Sequence, residues 1–283
     1  MAQSFAHGNY SHTQKRVGNG GGRTPRDRAR RVLSQNFMVD PHAVHRVVEA
    51  AGSHGLVLEP GGGEGALTLA LAETCKEVIS YEVDPRLAGR LASRTRDEDR
   101  ITVVRGDFLG ARVPREPFAV VGNIPYAITS KIVSWCLEAP SMTSATLVTQ
   151  VEYARKRTGD FGLWSLLTVL TWPEYSWKLL GRVGRESFRP VPAVDSAILG
   201  IDRRPVALLA GEPLAGYRAF VEYGFAGLGG SLDASLRMRY PAHRVAAAFE
   251  AAEVRPGTVM AAVHPGQWLV LFDRLHPAEP PGR

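Results

Sequence analysis

Cysteine is nearly absent. Cys75 and Cys136 are the only two in 283 residues, with no CxxC pairing and no histidine at metal-ligand spacing, which argues against a disulfide framework and a zinc site. Both fall in amphipathic segments, the pattern of buried, reduced thiols in a cytoplasmic protein. Long apolar runs are missing too. Nothing approaches the roughly 18 residues that a membrane span requires, and the N-terminus has basic and glycine-rich stretches but no apolar signal core. The expectation is a soluble, unexported, cytoplasmic protein. Acidic residues are missing from one place in particular: between Met1 and Arg31 seven basic residues stand against Asp27 alone, and the rest of the chain is balanced at 27 of each sign. The whole net charge of +6 therefore belongs to this arm. With few large apolar residues, residues 1–31 read either as a disordered arm drawn to polyanions or as a solvated extension without function. Lysine is scarce beside arginine, which suits phosphate recognition and equally fits a GC-rich genome.

What is present can bury a sizeable core, with 45% apolar residues in a chain long enough for one large domain and a small one. After the arm, Asp40-Pro41 supplies an N-cap and first-turn proline for a helix with Val44, Val47, Val48 and Ala51 on one face. Strands are expected over 55–60, 77–82, 101–104, 118–121 and 144–151, with helices between them, the second opening at Ala66 and the third at Asp84-Pro85. That alternation predicts an α/β fold with a mostly parallel, doubly wound sheet. Two further strands, 174–183 and 194–203, flank the rigid loop Phe188-Arg189-Pro190-Val191-Pro192. Helical segments at 214–228, 232–240, 242–252 and 267–275 follow, bounded by glycine and proline. The expected organisation is a basic arm (1–31), a catalytic domain (32–206) and a small all-helical domain (207–283) with a frayed tail. Between Tyr153 and Arg189, arginines and lysines interleave with Phe161, Trp164, Trp172, Tyr175 and Trp177. That mixture reads either as a nucleic-acid signature or as a helix and antiparallel strand with ordinary surface arginines.

The residues suited to chemistry cluster at predicted strand ends. Glu59-Pro60-Gly61-Gly62-Gly63-Glu64-Gly65 closes the first strand of a βαβ unit and has no Lys-Ser/Thr pair, so a triphosphate loop is excluded. Its glycines permit close backbone approach, and Glu59 suits an ammonium group better than a pyrophosphate. Glu82 stands where an acid accepts from ribose hydroxyls, a feature shared with NAD sites. Asp107 and Phe108 form a pair for an adenine amine and ring face. The fourth strand runs into Asn123-Ile124-Pro125-Tyr126, which sets a carboxamide, a backbone carbonyl and an aromatic ring at the sheet edge where open α/β proteins bind ligands.

Taken in order, Leu33-Ser34-Gln35-Asn36-Phe37, the Glu59–Gly65 loop, Tyr81-Glu82-Val83-Asp84, Gly106-Asp107-Phe108, Asn123-Ile124-Pro125-Tyr126 and Phe188-Arg189-Pro190-Val191-Pro192-Ala193-Val194-Asp195-Ser196 resemble the motifs of the ribosomal RNA adenine N6-methyltransferases. Among these the chain is most similar to the bacterial Erm family, 23S rRNA enzymes that confer macrolide, lincosamide and streptogramin B resistance. The resemblance spans roughly residues 26–276. It implies a Rossmann-like S-adenosylmethionine-dependent methyltransferase sheet, a helical RNA-binding domain at 207–283 and a monomer that takes 23S rRNA as naked or precursor RNA, without metal or membrane. It further implies cofactor contacts at Gln35, Asn36, Glu59, Gly61, Gly63, Glu82, Asp107, Phe108 and Asn123. Asn123, Ile124, Pro125, Tyr126 and Phe188 are implied around a flipped adenine, with Tyr126 and Phe188 as aromatic faces. The small-subunit 16S rRNA dimethyltransferases share nearly all six motifs, and the arm together with Arg155-Lys156-Arg157-Thr158-Gly159-Asp160 looks more like Erm. A non-catalytic RNA-binding or transcription-factor derivative of the fold would be expected to lose the acids or the turn, and neither is lost.

Overall fold

Two Asp-Pro pairs start helices in the same way. Asp40 accepts the His42 N–H at 3.0 Å ahead of α1 (Pro41–Ala51), and Asp84 accepts the Arg86 and Leu87 N–H groups ahead of α3 (Pro85–Arg94). In each case the carboxylate satisfies orphan donors and proline occupies a position that needs no N–H. These contacts come from a computed structural model, which describes residues 36–276. The basic arm, Gln35 and the tail after His276 lie outside the described residues.

The seven-stranded sheet has the order β4-β3-β2-β5-β6-β9-β7. Its members are β2 (Leu56–Pro60), β3 (Glu77–Glu82), β4 (Ile101–Arg105), β5 (Phe118–Asn123), β6 (Met142–Gln150), β7 (Tyr175–Val183) and β9 (Ser196–Arg203). The first five are parallel; β9 adds antiparallel to β6, and β7 antiparallel to β9. The sheet is therefore mostly parallel, with an antiparallel pair at one side. Every residue of β2 is buried, as is β5 up to Gly122, because helices cover both faces of a doubly wound sheet. Alternate residues divide between two cores. Leu56, Leu58, Phe118 and Val120 share one with Ile132, Val133 and Cys136 of α4 (Thr129–Glu138). Val57, Ala119 and Val121 share the other with α1 and with Leu67, Leu71 and Ala72 of α2 (Ala66–Thr74). Cys75 and Cys136 are buried free thiols, and burial pushes the Cys136 thiol pKa well up.

A small pairing had no counterpart in the sequence pattern. The two-residue strands β1 (Phe37–Met38) and β8 (Phe188–Arg189) lie antiparallel, with Met38 opposite Phe188. Val39 N–H donates to Ser187 O at 2.9 Å, and Ser187 Oγ donates to Asp40 Oδ2 at 3.0 Å, so the segment before α1 is fastened to the distant 184–189 loop.

Beyond α5 (Val151–Thr158) and α6 (Leu166–Thr171), the helices α7 (Gly211–Phe225), α8 (Leu232–Arg237), α9 (Ala242–Ala251) and α10 (Pro265–Leu275) enclose a third core, which also takes in Val169 of α6. Tyr217 OH donates to Val169 O at 3.0 Å. Trp268 is fully buried and stacks on Phe225, with ring centroids 5.4 Å apart, but its indole N–H has no hydrogen-bond partner among the described residues. Trp268→Ala should cost about 3–5 kcal/mol. Trp268→Phe, which removes an unsatisfied donor along with some volume, should stay within about 1 kcal/mol of the parent. Chemical denaturation of the two variants checks both.

Candidate active site

Strand order reverses between β2 and β5: from β2 the chain steps outward to β3 and β4, then returns to β5 and proceeds the other way through β6. This is the switch point at which open α/β sheets bind ligands. The ends of the two strands touch. A Cβ on Gly122 would lie 2.9 Å from the Pro60 ring, so only glycine fits beside that proline.

Past Pro60 the chain turns back over the strand ends, with the Gly61 and Gly62 N–H groups donating to Tyr81 O at 2.8 and 3.1 Å. Gly63, at φ 56°, donates its N–H to Glu82 Oε2 at 2.9 Å, and the Phe37 ring packs over the space a side chain there would need. Glu82 also accepts the Asp84 N–H through Oε1 at 2.8 Å. The first glycine loop and the end of β3 are thus tied through one buried carboxylate. Its pKa is raised by burial and lowered in part by these backbone donors.

Glu59 is only 1% exposed. Its Oε2 accepts from Thr68 Oγ1 at 2.5 Å and from Ser80 Oγ at 2.7 Å. Burial outweighs both hydroxyls and pushes the pKa up to about 7, with the Glu82 charge adding to the rise. Thr68 and Ser80 carry no motif signature, yet they set where this carboxylate points. Gly62 belongs to the same arrangement, since a Cβ there would sit 2.1 Å from Ser80 Oγ.

Asp107 is exposed at the end of β4, where it caps a short 3-10 turn by accepting the Leu109 N–H at 3.0 Å. Phe108 departs from expectation. Its ring is buried against Tyr81, edge-on at 5.6 Å, and Trp135 at 4.6 Å, so it packs the core beneath the loop instead of offering an open face to an adenine.

At the end of β5, Asn123 Nδ2 donates to Asn36 O at 2.7 Å. With the amide nitrogen so committed, Oδ1 is left as the acceptor. Ile124 is 2% exposed and anchors the turn in the core, its N–H directed at Val148 O at 3.4 Å. Pro125 holds φ at −59°. Tyr126 is partly exposed, and its hydroxyl lies 2.6 Å from Ser196 Oγ; burial raises the phenol pKa, keeping the ring neutral. The second aromatic wall expected at Phe188 is corrected. That ring is fully buried, in the same core as Met38, Val44, Val183 and Ile198, because β8 turns it inward opposite Met38.

For the mixed basic and aromatic stretch the structure favours the second reading, a helix and an antiparallel strand. Tyr175 and Trp177 are buried, donating to Leu137 O and Thr171 Oγ1, and Trp164 and Trp172 pack edge-on against each other and His264. Of the five rings only Phe161 is exposed, beneath the Arg155 guanidinium, which is itself ion-paired with Asp160. Most of these aromatics build the fold, and the exposed cations are Lys156, Lys178, Arg182, Arg185 and Arg189.

A glycine cradle at the switch point, acids at the ends of β2, β3 and β4, and a carboxamide acceptor at the end of β5 suit a nucleoside that carries a cationic amino-acid end. The buried Glu59 gives a test of this environment. Because its folded pKa lies above the ordinary carboxylate value of 4.5, the stability it permits is fully present below that value and is lost as pH rises through about 7. The loss amounts to about 3 kcal/mol at roughly 1.36 kcal/mol per pH unit. Stability of the protein without cofactor, measured by denaturant unfolding between pH 4.5 and 8, should fall more steeply with pH for the parent than for Glu59→Gln.

Comparison with known proteins gives the family. The family model for ribosomal RNA adenine dimethylase matches residues 26–276. An rRNA methyltransferase from Streptomyces thermotolerans is 53% identical over 90% of this chain and 86% of its own length. An rRNA adenine N-6-methyltransferase from Saccharopolyspora erythraea is 52% identical over 90% of this chain and 67% of its own. The crystal structure of the 23S rRNA methyltransferase ErmE superposes with a TM-score of 0.83 at 52% identity, covering 85% of this chain and 99% of that one. The family model and these relatives place the chain in the ribosomal RNA adenine dimethylase family of methyltransferases.

Proposed function

We propose that this protein transfers methyl from S-adenosylmethionine to N6 of one adenosine in 23S rRNA, protecting the ribosome against macrolide, lincosamide and streptogramin B antibiotics. It would act in the cytoplasm, as a monomer. The observation that carries the reading is the Asn123 Nδ2 to Asn36 O bond, which leaves the carboxamide oxygen as the acceptor at the switch point. The similarity to ErmE favours 23S over 16S rRNA as the target molecule.

Bound S-adenosylmethionine would supply an electrophilic methyl group, its S–CH3 bond breaking as the N–C bond forms and the thioether leaving. Gly61, Gly63, Glu59, Glu82, Asp107 and Asn36 are the described residues that would hold it, with Gln35 from outside them. An adenine amine is a poor nucleophile because its lone pair is delocalised into the ring. Asn123 Oδ1 and the Ile124 carbonyl can each accept one of its N–H bonds, favouring a pyramidal nitrogen with the lone pair free to form the new N–C bond. Pro125 holds that carbonyl, and the Tyr126 ring supplies a face for a base taken out of its stack. No side chain in the turn has the matched pKa of a general base. Positioning carries most of the rate, and N6 sheds its proton after the methyl has arrived. We assign the arm and residues 207–283 to RNA binding through phosphates, leaving the choice of base to the turn.

Asn123→Ala should lower kcat/KM on naked 23S transcript by about 10²–10³-fold, the usual cost of losing one preorganised polar contact in a transition state. Undiminished transfer would remove the turn from the mechanism. Primer extension on methylated 16S and 23S transcripts should show the block on 23S alone, whereas a block on 16S would favour the small-subunit reading. A chain starting at Arg31 should bind RNA more weakly and with a flatter salt dependence; an unchanged slope would assign the arm no phosphate contacts.

A further inference from the structure

We propose that Ser196 is a positioning residue for methyl transfer, clamping the Tyr126 ring by its hydroxyl in the orientation that receives the target base. The inference rests on the reading of the Asn123–Tyr126 turn given above and extends it to a residue of a different strand. The two hydroxyl oxygens are 2.6 Å apart although the residues are 70 positions apart in sequence. Each hydroxyl can donate or accept, so the bond forms in either sense.

The two partners differ in rigidity. Tyr126 is partly exposed and opens a short 3-10 turn after Pro125. Ser196 is fully buried and opens β9, paired with Gln150 of β6 on one side and Val183 of β7 on the other. The preceding residue is fixed as well: Asp195 O accepts the Val151 N–H at 3.1 Å, and Asp195 Oδ1 accepts the Arg185 N–H at 3.2 Å. A tyrosine ring turns about two side-chain torsions, and a ring that is partly exposed is not held in both by burial alone. A hydrogen bond from the tip of the ring to a strand inside the sheet restrains both torsions before any base arrives. Phenylalanine at this position would keep the stacking face and lose the restraint. The buried Ser196 hydroxyl would at the same time lose its partner.

A restraint of this kind acts on alignment and not on cofactor binding. Its signature is therefore a fall in kcat with an unchanged KM for S-adenosylmethionine. Tyr126→Phe and Ser196→Ala should each lower kcat on naked 23S transcript by about 2- to 12-fold, the kinetic equivalent of one net hydrogen bond. The double variant should be no slower than the slower single one, because both substitutions remove the same contact. Assays run well below the unfolding midpoint of every variant keep stability out of the comparison, and Tyr126→Phe alone carries the test if Ser196→Ala does not fold. Wild-type kcat in Tyr126→Phe, or losses that multiply in the double variant, would overturn the clamp. Asn123→Ala separates the two levels: if it is inactive while the clamp variants behave as wild type, only the clamp is wrong; if it retains full activity, the reading of the turn and the clamp fall together.

Discussion

β2 and β5 must lie side by side with Pro60 packed against Gly122, and the rest of the site follows from that contact. The Pro60 ring packs where Gly122 has no side chain, and this close approach brings the loop after Pro60 beside the turn that begins at Asn123. The strand order reverses at this pair, the place where open α/β sheets bind ligands. Glu59 and Glu82 end up buried beside this pair, Glu82 accepting the Gly63 N–H, and Asn123 closes β5 next to the same loop.

Burying two carboxylates at adjacent strand ends is costly. Glu59 is buried, its only described donors are the hydroxyls of Thr68 and Ser80, and its pKa rises to about 7. Glu82 is held instead by two backbone N–H groups, which lower a pKa that burial raises. A cationic ligand would favour the ionised form of both. The same logic of satisfaction by a distant partner recurs at the turn, where Asn36 takes the Asn123 amide nitrogen and Ser196 meets the Tyr126 hydroxyl. The end of β5 and the turn after it supply the reacting groups, while β9 and the segment before α1 hold them in place.

Much of this was legible in the sequence. The strand at 77–82 falls where it was read, the other six differ by one to three residues at their ends, and the two Asp-Pro caps mark helices that begin where expected. The C-terminal helices were found by glycine and proline punctuation, with α8 ending at Arg237 and not Tyr240. The failures share a physical cause. An aromatic residue after a strand or in a loop reads the same whether it faces a ligand or the core, and Phe108 and Phe188 face the core. Two residues are too few to show a strand period, so the β1–β8 pairing left no trace. A hydroxyl inside a helix or strand, such as Thr68, Ser80 or Ser196, has no pattern of its own until tertiary structure gives it a partner. The basic and aromatic run stayed open between two readings because arginine packs on rings inside a fold as readily as on nucleic acid.

The central claim is that the Asn123–Tyr126 turn aligns an adenine amine for methyl transfer. Enzymatic digestion of a 23S transcript treated with the protein and S-adenosylmethionine, followed by mass analysis of the nucleosides, tests it most directly. The account predicts adenosine carrying one or two methyl groups on N6, nearly absent when Asn123→Ala replaces the parent. Methyl groups on another base or another adenine nitrogen, or an N6 yield unaffected by Asn123→Ala, would contradict it.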